Sequence, residues 1–261
     1  MKFPYIKTEN EISKIEKSCR IVAETLTLIG KYMVAGTETM EIDRIAEDFI
    51  LSKGAKPAFK GYVVDGKKFP YTLCISINDE VVHGMPGRRK LEEGQIASID
   101  CGAELDGYFG DSAVTYAVGN VTEEKLRLMS TTQEALMLGI EKAVSKNKVY
   151  DISRAIQEFV EGKGYSVTRE LVGHGIGKNL HEEPPVPNFV PPLLHRSKYP
   201  NIKLEKGMAL AIEPMVHQGT KFVKTEADGW TVRTVDGKPA AHFEHTVIVD
   251  DNYPLILTVR D

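Results

Sequence analysis

Carboxylates set inside apolar runs are the residues of this 261-residue chain with the clearest chemical use. Ser98-Ile99-Asp100-Cys101-Gly102 carries one in mid-run, and Gly110-Asp111-Ser112-Ala113 carries another on the run that returns. An uncompensated buried carboxylate is costly, and such groups pair with a charge or hold a metal. Asp106-Gly107, between the runs, is a strong signal for a two-residue hairpin turn. That turn sets Asp100 opposite Ala113 and Asp111 opposite Gly102. The two aspartates then become diagonal neighbours on one sheet face, about 7–8 Å apart at the backbone. Either aspartate alone reads equally well as a polar residue bonded to a nearby amide. Two aimed at one point read as a grip on a cation.

The second half of the chain supplies more ligands. Ala211-Ile212-Glu213-Pro214 and His242-Phe243-Glu244-His245 each place a glutamate at or near a strand. His174 sits between Gly173 and Gly175, where the backbone can approach a site closely and leave the imidazole unobstructed. Four carboxylates and one imidazole suit hard divalent ions such as Mn, Fe or Co better than a thiolate-type structural zinc site does. Five ligands, several able to bridge, exceed the needs of one ion, so two ions are expected. Cys101, next to Asp100, points to the other face by strand alternation and reads as core.

The elements that position these residues follow from periodicity and punctuation. Thr8-Glu9-Asn10-Glu11 is a capping box, followed by Ile12, Ile15, Cys19, Val22, Leu26 and Ile29 at helical spacing. A second helix is predicted from near Thr39 to Gly54. Residues 57–71 read as a loop, Leu73 to Ile77 as a strand, and Gln95–Ala103 with Tyr108–Val118 as the hairpin. Helices are predicted over 122–146 and 151–163, and a glycine-rich loop over Gly173 to Gly177. Residues 184–200 hold six of the 13 prolines and read as a loop. Met208 to Glu213 is a predicted strand, and Thr231–Thr234 with Ala240–Val249 a second hairpin around Asp236-Gly237. Each half thus runs helices, then strand and hairpin. The fold class is α/β in the α+β sense, a single domain over 1–261 with helices covering a largely antiparallel sheet.

Composition excludes several classes. With 42% apolar and 27% charged residues the chain is globular, and its net charge of −4 gives no global pull toward nucleic acid or anionic membrane. Arg88-Arg89-Lys90 and the lysines of 198–206 read as solvated loops. Cys19, Cys74 and Cys101 form no CxxC pair, which fits a reducing compartment. Met1 to Tyr5 is followed by charges rather than an apolar signal core, and no apolar run approaches the roughly 20 residues of a membrane span. Cytoplasm and no membrane are the expectations.

The order Asp100, Asp111, His174, Glu213, Glu244 resembles the ligand set of the type I methionine aminopeptidases, metallopeptidases of the pita-bread fold. The strings Asn78-Asp79-Glu80-Val81-Val82-His83-Gly84, Gly173-His174-Gly175-Ile176-Gly177, Ile212-Glu213-Pro214-Met215 and Phe243-Glu244-His245-Thr246 are similar to theirs over essentially the whole chain. The resemblance implies two pseudo-symmetric halves around a curved sheet and two divalent ions (Co, Mn, Fe, Ni or Zn). It implies that Asp111 and Glu244 bridge the ions, that Asp100 completes one, and that His174 with Glu213 completes the other. A water between the ions would be the nucleophile. Glu213 would move the proton to the leaving amine. His181 would bond the carbonyl oxygen and His83 the amide nitrogen beyond it. Phe59, Tyr62, Phe69, Cys74, Leu180 and Trp230 match the positions lining the methionine slot, with Leu180 standing where many relatives carry an aromatic. His195, His217, His242 and His245 read as structural or surface residues.

The implied activity is removal of the initiator methionine from nascent polypeptides with a small second residue. A monomer is expected, with transient ribosome contact and no sequence-specific nucleic acid. An X-Pro peptidase of the same fold is an alternative, although those enzymes carry a further N-terminal domain and the first helix here begins by Thr8. A non-catalytic binding protein that lost its metals is a third reading, opposed by ligating residues at all five positions.

Overall fold

The computed structural model describes residues 6–260, so the Met1–Tyr5 segment read above as lacking a signal core lies outside the described residues. Helix α1 (Glu9–Gly30) begins at the Thr8 capping box, where Thr8 accepts from the Glu11 amide and Glu11 accepts from the Thr8 amide. Its buried stripe, including Ile15, Cys19, Val22, Leu26 and Ile29, is the one the periodicity picks out. Helix α2 (Thr39–Ser52) follows and ends at Gly54, whose φ of +76° stops the helix without a Cβ penalty. Residues 57–71 are not wholly loop. They begin in β1 (Lys56–Pro57), which pairs with the main hairpin, and hold a small hairpin of β2 (Val63–Val64) and β3 (Lys67–Lys68). Strands this short leave no readable alternation.

Strands β4 (Leu73–Ile77) and β5 (Glu80–Val82) lead into β6 (Ile96–Leu105) and β7 (Tyr108–Ala117). The β6–β7 register is unbroken from Ile96↔Ala117 to Leu105↔Tyr108. Asp106 and Gly107 both have positive φ, 52° and 76°, as a primed two-residue turn requires. Helices α1 and α2 bury Val22, Leu26, Ile42 and Ile50 against Leu73, Ile75, Ile99 and Cys101 on one face of this sheet. Gly110 lets α1 close in, because a Cβ there would stand 2.5 Å from the Cys19 amide.

The second half repeats the plan. Helix α3 (Glu123–Ile140) is shorter than the predicted 122–146: the chain leaves the helix after Ile140, yet Ala143 still buries in the core. Helix α4 (Val149–Gly162) starts two residues earlier than predicted, with Asp151 accepting from the Lys148 amide. Beyond β8 (Ser166–Val167), the Gly173–Gly177 segment, predicted as a loop, begins as a strand over its first three residues. This β9 (Gly173–Gly175) runs between β10 (Glu182–Val186) and β11 (Ala209–Ile212). Its glycines are what the packing demands, since a Cβ at Gly173 would stand 2.4 Å from the Ala211 carbonyl and one at Gly175 would stand 2.1 Å from that of Glu183. The predicted 184–200 loop likewise begins inside β10, and only its later part, around the 3-10 turn Leu193–His195, is irregular.

The second hairpin differs from the expectation. After β12 (Met215–His217), β13 (Val223–Thr225) and β14 (Val232–Thr234) pair with each other, and β14 pairs onward to β5. The Asp236-Gly237 turn is real, with Asp236 accepting from the Lys238 amide, but it joins different sheets. The partner of β15 (Ala240–His242) is β12, and the partner of β16 (His245–Ile248) is β11. Both pairs share one register, so 209–217 and 240–248 form a single antiparallel pair, with β17 (Leu255–Ile256) alongside β16. Helices α3 and α4 cover this half through Leu136, Ile140, Ile152 and Ile156, packed with Leu210, Ile212, Val216 and Val247. Among the described residues no helix is long and apolar enough to cross a membrane.

Candidate metal centre and substrate cavity

Asp100 and Asp111 take the positions that the turn dictates, Asp100 opposite Ala113 and Asp111 opposite Gly102. Their side chains share a face, and Cys74, the cross-strand partner of Asp100, joins them there. Cys101 points the other way and is fully buried in the core. In the second half, the register running from Ile212↔His245 to Met215↔His242 sets Glu213 opposite Glu244, at the first of the two levels where the ladder is interrupted. Pro214 has no N–H to give the ladder, so the break falls where pairing is weakest. His174 lies across from Ala211 on β9, and its Nε2 reaches to 3.7 Å from Glu213 Oε1 and 4.0 Å from Asp111 Oδ2.

The two halves are stitched together behind these side chains. The Asp111 amide donates to Thr246 Oγ1, and Thr246 Oγ1 donates to the Asp111 carbonyl at 2.8 Å. Ser112 Oγ donates to the Glu244 carbonyl at 2.6 Å and accepts from Arg260 Nη1 at 2.8 Å. The Glu244 amide donates to the Ala113 carbonyl at 3.0 Å. Asn188, fully buried, donates to the Glu213 carbonyl at 2.9 Å. Each carboxylate therefore leaves a backbone already fixed on both sides.

Asp111, His174 and Glu244 each offer a ligand atom, and these atoms lie within 4.8 Å of one another. Asp100 Oδ1, Asp111 Oδ1 and Glu244 Oε1 are buried with no hydrogen-bond partner. Asp100 and Glu213 lie outside that tight group but line the same cavity, and buried polar atoms are normally paired, so three orphaned carboxylate oxygens on one cavity wall fit a cation that completes them. Burial raises Glu213 to about 8 and Asp100 to about 7, where His242 pulls Asp100 back and Glu213 adds to the rise. Burial and then Asp100 raise Asp111 well above the usual range, and burial and then Asp111 do so for Glu244. Burial pushes His174 down to about 3, so its imidazole is neutral. Its Nδ1–H donates to the Gly175 carbonyl at 2.9 Å, which leaves the Nε2 lone pair facing the carboxylates, as a metal ligand requires.

One cavity is lined by all thirteen of the residues singled out from sequence: the five above with His83, His181, Phe59, Tyr62, Phe69, Cys74, Leu180 and Trp230. Phe59, Phe69, Cys74 and Leu180 form a buried apolar cluster, and Trp230 stacks edge-on to Phe69 at 5.2 Å. Tyr62 and Trp230 are half-buried, and His181 lies at the exposed rim with its Nδ1 2.6 Å from the Tyr62 hydroxyl. His83 faces Trp230 at 6.4 Å, and burial pushes it down to about 4.

Sequence reasoning passed over Val64, Val82, Leu171, Val172 and Met215, which also line the cavity. Met215 was findable, since it lies two residues beyond Glu213 along the same direction of chain. His217 and His245 are structural, bonded to Thr168 and Thr258. His195 is exposed. His242 is not structural in that sense: it is buried with Nε2 unpaired, 3.6 Å from Glu213 Oε2.

Comparison with known proteins places the chain in a family. The model of metallopeptidase family M24 matches residues 13–251. The chain is 50% identical to the methionine aminopeptidase of Clostridium perfringens over 254 residues, 97% of this chain and 98% of that one. A crystal structure of methionine aminopeptidase from Thermotoga maritima superposes with a TM-score of 0.91 at 41% identity, covering 98% of this chain and 99% of that one. A prolidase from Pyrococcus furiosus, at 23% identity and TM-score 0.79, shares the fold and extends beyond it, with 66% of its length covered. Sequence, fold and ligand geometry converge: the chain belongs to metallopeptidase family M24, among its methionine aminopeptidases.

Proposed function

We propose that the chain removes the N-terminal methionine from new polypeptides whose second residue is small. The observation that carries this reading is an apolar slot opening directly onto a cluster of buried carboxylates with unpaired oxygens. Asp100, Asp111, His174, Glu213 and Glu244 would hold two divalent ions, of Co, Mn, Fe, Ni or Zn, with Asp111 and Glu244 shared between them. When bound, the ions polarise the substrate carbonyl and make water nucleophilic at neutral pH.

The side chains around them divide the remaining work. Phe59, Phe69, Cys74, Leu180, Tyr62 and Trp230 carry no charge and receive the methionine side chain, whose flexible thioether adapts to the slot and whose sulfur contacts aromatic edges favourably. The acidic floor attracts the free α-amine, which restricts cleavage to a chain end. Tyr62, donating its hydroxyl proton to His181 Nδ1, leaves Nε2–H as a donor toward the carbonyl oxygen as negative charge develops there. His83, neutral at working pH, bonds the amide nitrogen beyond the scissile bond. Glu213 takes up the proton that the water gives up and passes it to the leaving amine.

The chain is proposed to act as one catalytic unit over 1–261, as a monomer in the cytoplasm with transient ribosome contact. Ligands drawn from both halves and three free, buried cysteines support this. The test is hydrolysis of Met-Ala-Ser against Leu-Ala-Ser, Ala-Pro-Ala and N-acetyl-Met-Ala-Ser, with EDTA and then Co²⁺ or Mn²⁺ restored. Cleavage of the free methionine peptide alone, lost with chelator and regained with metal, is expected. Preferential cleavage of Ala-Pro-Ala would overturn the reading in favour of an X-Pro peptidase, and silence on every peptide with metal bound would leave a binding protein.

A further inference from the structure

Glu213 stands between two imidazoles, and only one of them has been given a task. Its Oε1 lies 3.7 Å from His174 Nε2, while its Oε2 lies 3.6 Å from His242 Nε2. The two histidines differ in their other contacts. His174 commits its Nδ1–H to the Gly175 carbonyl, so its Nε2 presents a lone pair. His242 is 1% exposed, and its Nε2 has no partner although it is buried. A buried imidazole nitrogen without a partner is a cost that folding does not retain without use.

The backbone of His242 is held unusually firmly for a residue at a ladder break. Its amide donates to Thr115 Oγ1 at 3.0 Å and to Ser98 Oγ at 3.3 Å, and Thr115 Oγ1 donates to its carbonyl at 2.8 Å. Ser98 and Thr115 are cross-strand partners on β6 and β7, with their hydroxyls 2.8 Å apart. The Asp-bearing hairpin thus grips the backbone of the residue whose side chain reaches Glu213. A contact of 3.6 Å is longer than a hydrogen bond, and it leaves the two groups just outside bonding distance.

We infer that His242 is a positioning residue for Glu213: as the neutral Nε2–H tautomer it donates to Oε2. The two oxygens then become inequivalent, one facing His174 and the other fixed to His242. A carboxylate held this way keeps one orientation through proton delivery, the function given to Glu213 in the proposal above, on which this inference rests. Outer-shell donors of this kind typically contribute 10–100-fold to metal affinity or activity.

Three measurements test it. In ¹⁵N-histidine NMR of the metal-loaded protein, His242 is expected as the Nε2–H tautomer; the Nδ1–H tautomer would overturn the inference without any variant. His242→Leu is expected to lower kcat about 10–100-fold with KM nearly unchanged, and to weaken Mn²⁺ binding by calorimetry about tenfold. His242→Gln, whose amide can donate from a similar place, is expected to restore kcat to within about fivefold of wild type. A His242→Leu protein equal to wild type in both kcat and Mn²⁺ affinity overturns the inference, as does a folded His242→Gln as impaired as His242→Leu. Wild-type protein that ignores Met-Ala-Ser would instead overturn the functional reading, and the tautomer would still be readable.

Discussion

The two hairpins that furnish the carboxylates solve one problem in different ways. On β6–β7 the ladder is unbroken, and the short aspartates are offset diagonally on a rigid surface. On the 209–217/240–248 pair the longer glutamates oppose each other directly, and the ladder lapses at their level beside Pro214. The first hairpin ends in a two-residue turn, while the second carries residues 218–239, with β13, β14 and Trp230, at its tip. A continuous ladder gives precision, and an interrupted one leaves room for longer side chains to adjust. The Asp side is therefore the template, and the Glu side is where adjustment occurs.

The largest effect expected from breaking this division is loss of either half's ligands. Asp100→Ala and Glu244→Ala should each lower Met-Ala-Ser turnover by about a thousandfold or more, since several kcal/mol of charge stabilisation are removed. If one variant keeps wild-type turnover under saturating metal, that half is not a ligand source. Stripping the metal should abolish activity and lower the melting temperature. Metal at a hundredfold over its Kd contributes about 2.7 kcal/mol, or about 5–10 °C for a chain of this size. An unchanged melting temperature with EDTA would break the link between the halves and the ions.

The metal-free protein should also respond to pH in an unusual direction. Burial raises Asp100 to about 7 and Glu213 to about 8 in the folded protein and carries Asp111 and Glu244 well above the usual carboxyl range, all above their unfolded values. The folded state then binds more protons than the unfolded chain, so its stability falls as pH rises. The buried histidines, lowered to about 3 for His174 and about 4 for His83, act oppositely, but only below their unfolded value of about 6.5. Between about pH 6.5 and 8 the carboxyls decide, and melting curves of apoprotein should drop across that window while the metal-loaded protein stays level. A rise instead would mean that the carboxylates are compensated without metal.

Smaller effects sharpen the comparison. Gly173→Ala forces a Cβ to 2.4 Å from the Ala211 carbonyl and should destabilise by about 1–3 kcal/mol in urea unfolding. Wild-type stability would mean that β9 has slack beside the Glu pair. Tyr62→Phe removes the hydroxyl 2.6 Å from His181 and should lower kcat about 2–10-fold, equivalent to one hydrogen bond, with little change in stability. Unchanged kcat would show that His181 is oriented by other contacts.

The difference between the hairpins also explains what was legible in the sequence. Asp106-Gly107 pinned the register, so the geometry of Asp100 and Asp111 could be written down from the alphabet alone. Glu213 and Glu244 lacked such a marker. Their partner strands are separated by 218–239, and a real turn at Asp236-Gly237 pointed to a pairing between 231–234 and 240–249 that the fold does not make. Gly173–Gly175 was hidden for another reason, since glycine is depleted in strands and tertiary crowding selected it here. His242 was hidden because an imidazole's use depends on what faces it, and Glu213 lies outside its local sequence.

The chain order of the ligands has a consequence in time. Synthesis delivers Asp100 and Asp111 long before Glu244, and the hydroxyl and amide contacts that join Ser112 to Glu244 and Asp111 to Thr246 span more than half the chain. A growing polypeptide that has completed only the first hairpin holds two carboxyls without His174, Glu213 and Glu244 beside them and without Trp230 on the cavity wall. Peptidase activity is thus withheld from the nascent enzyme until its second half has folded against the first.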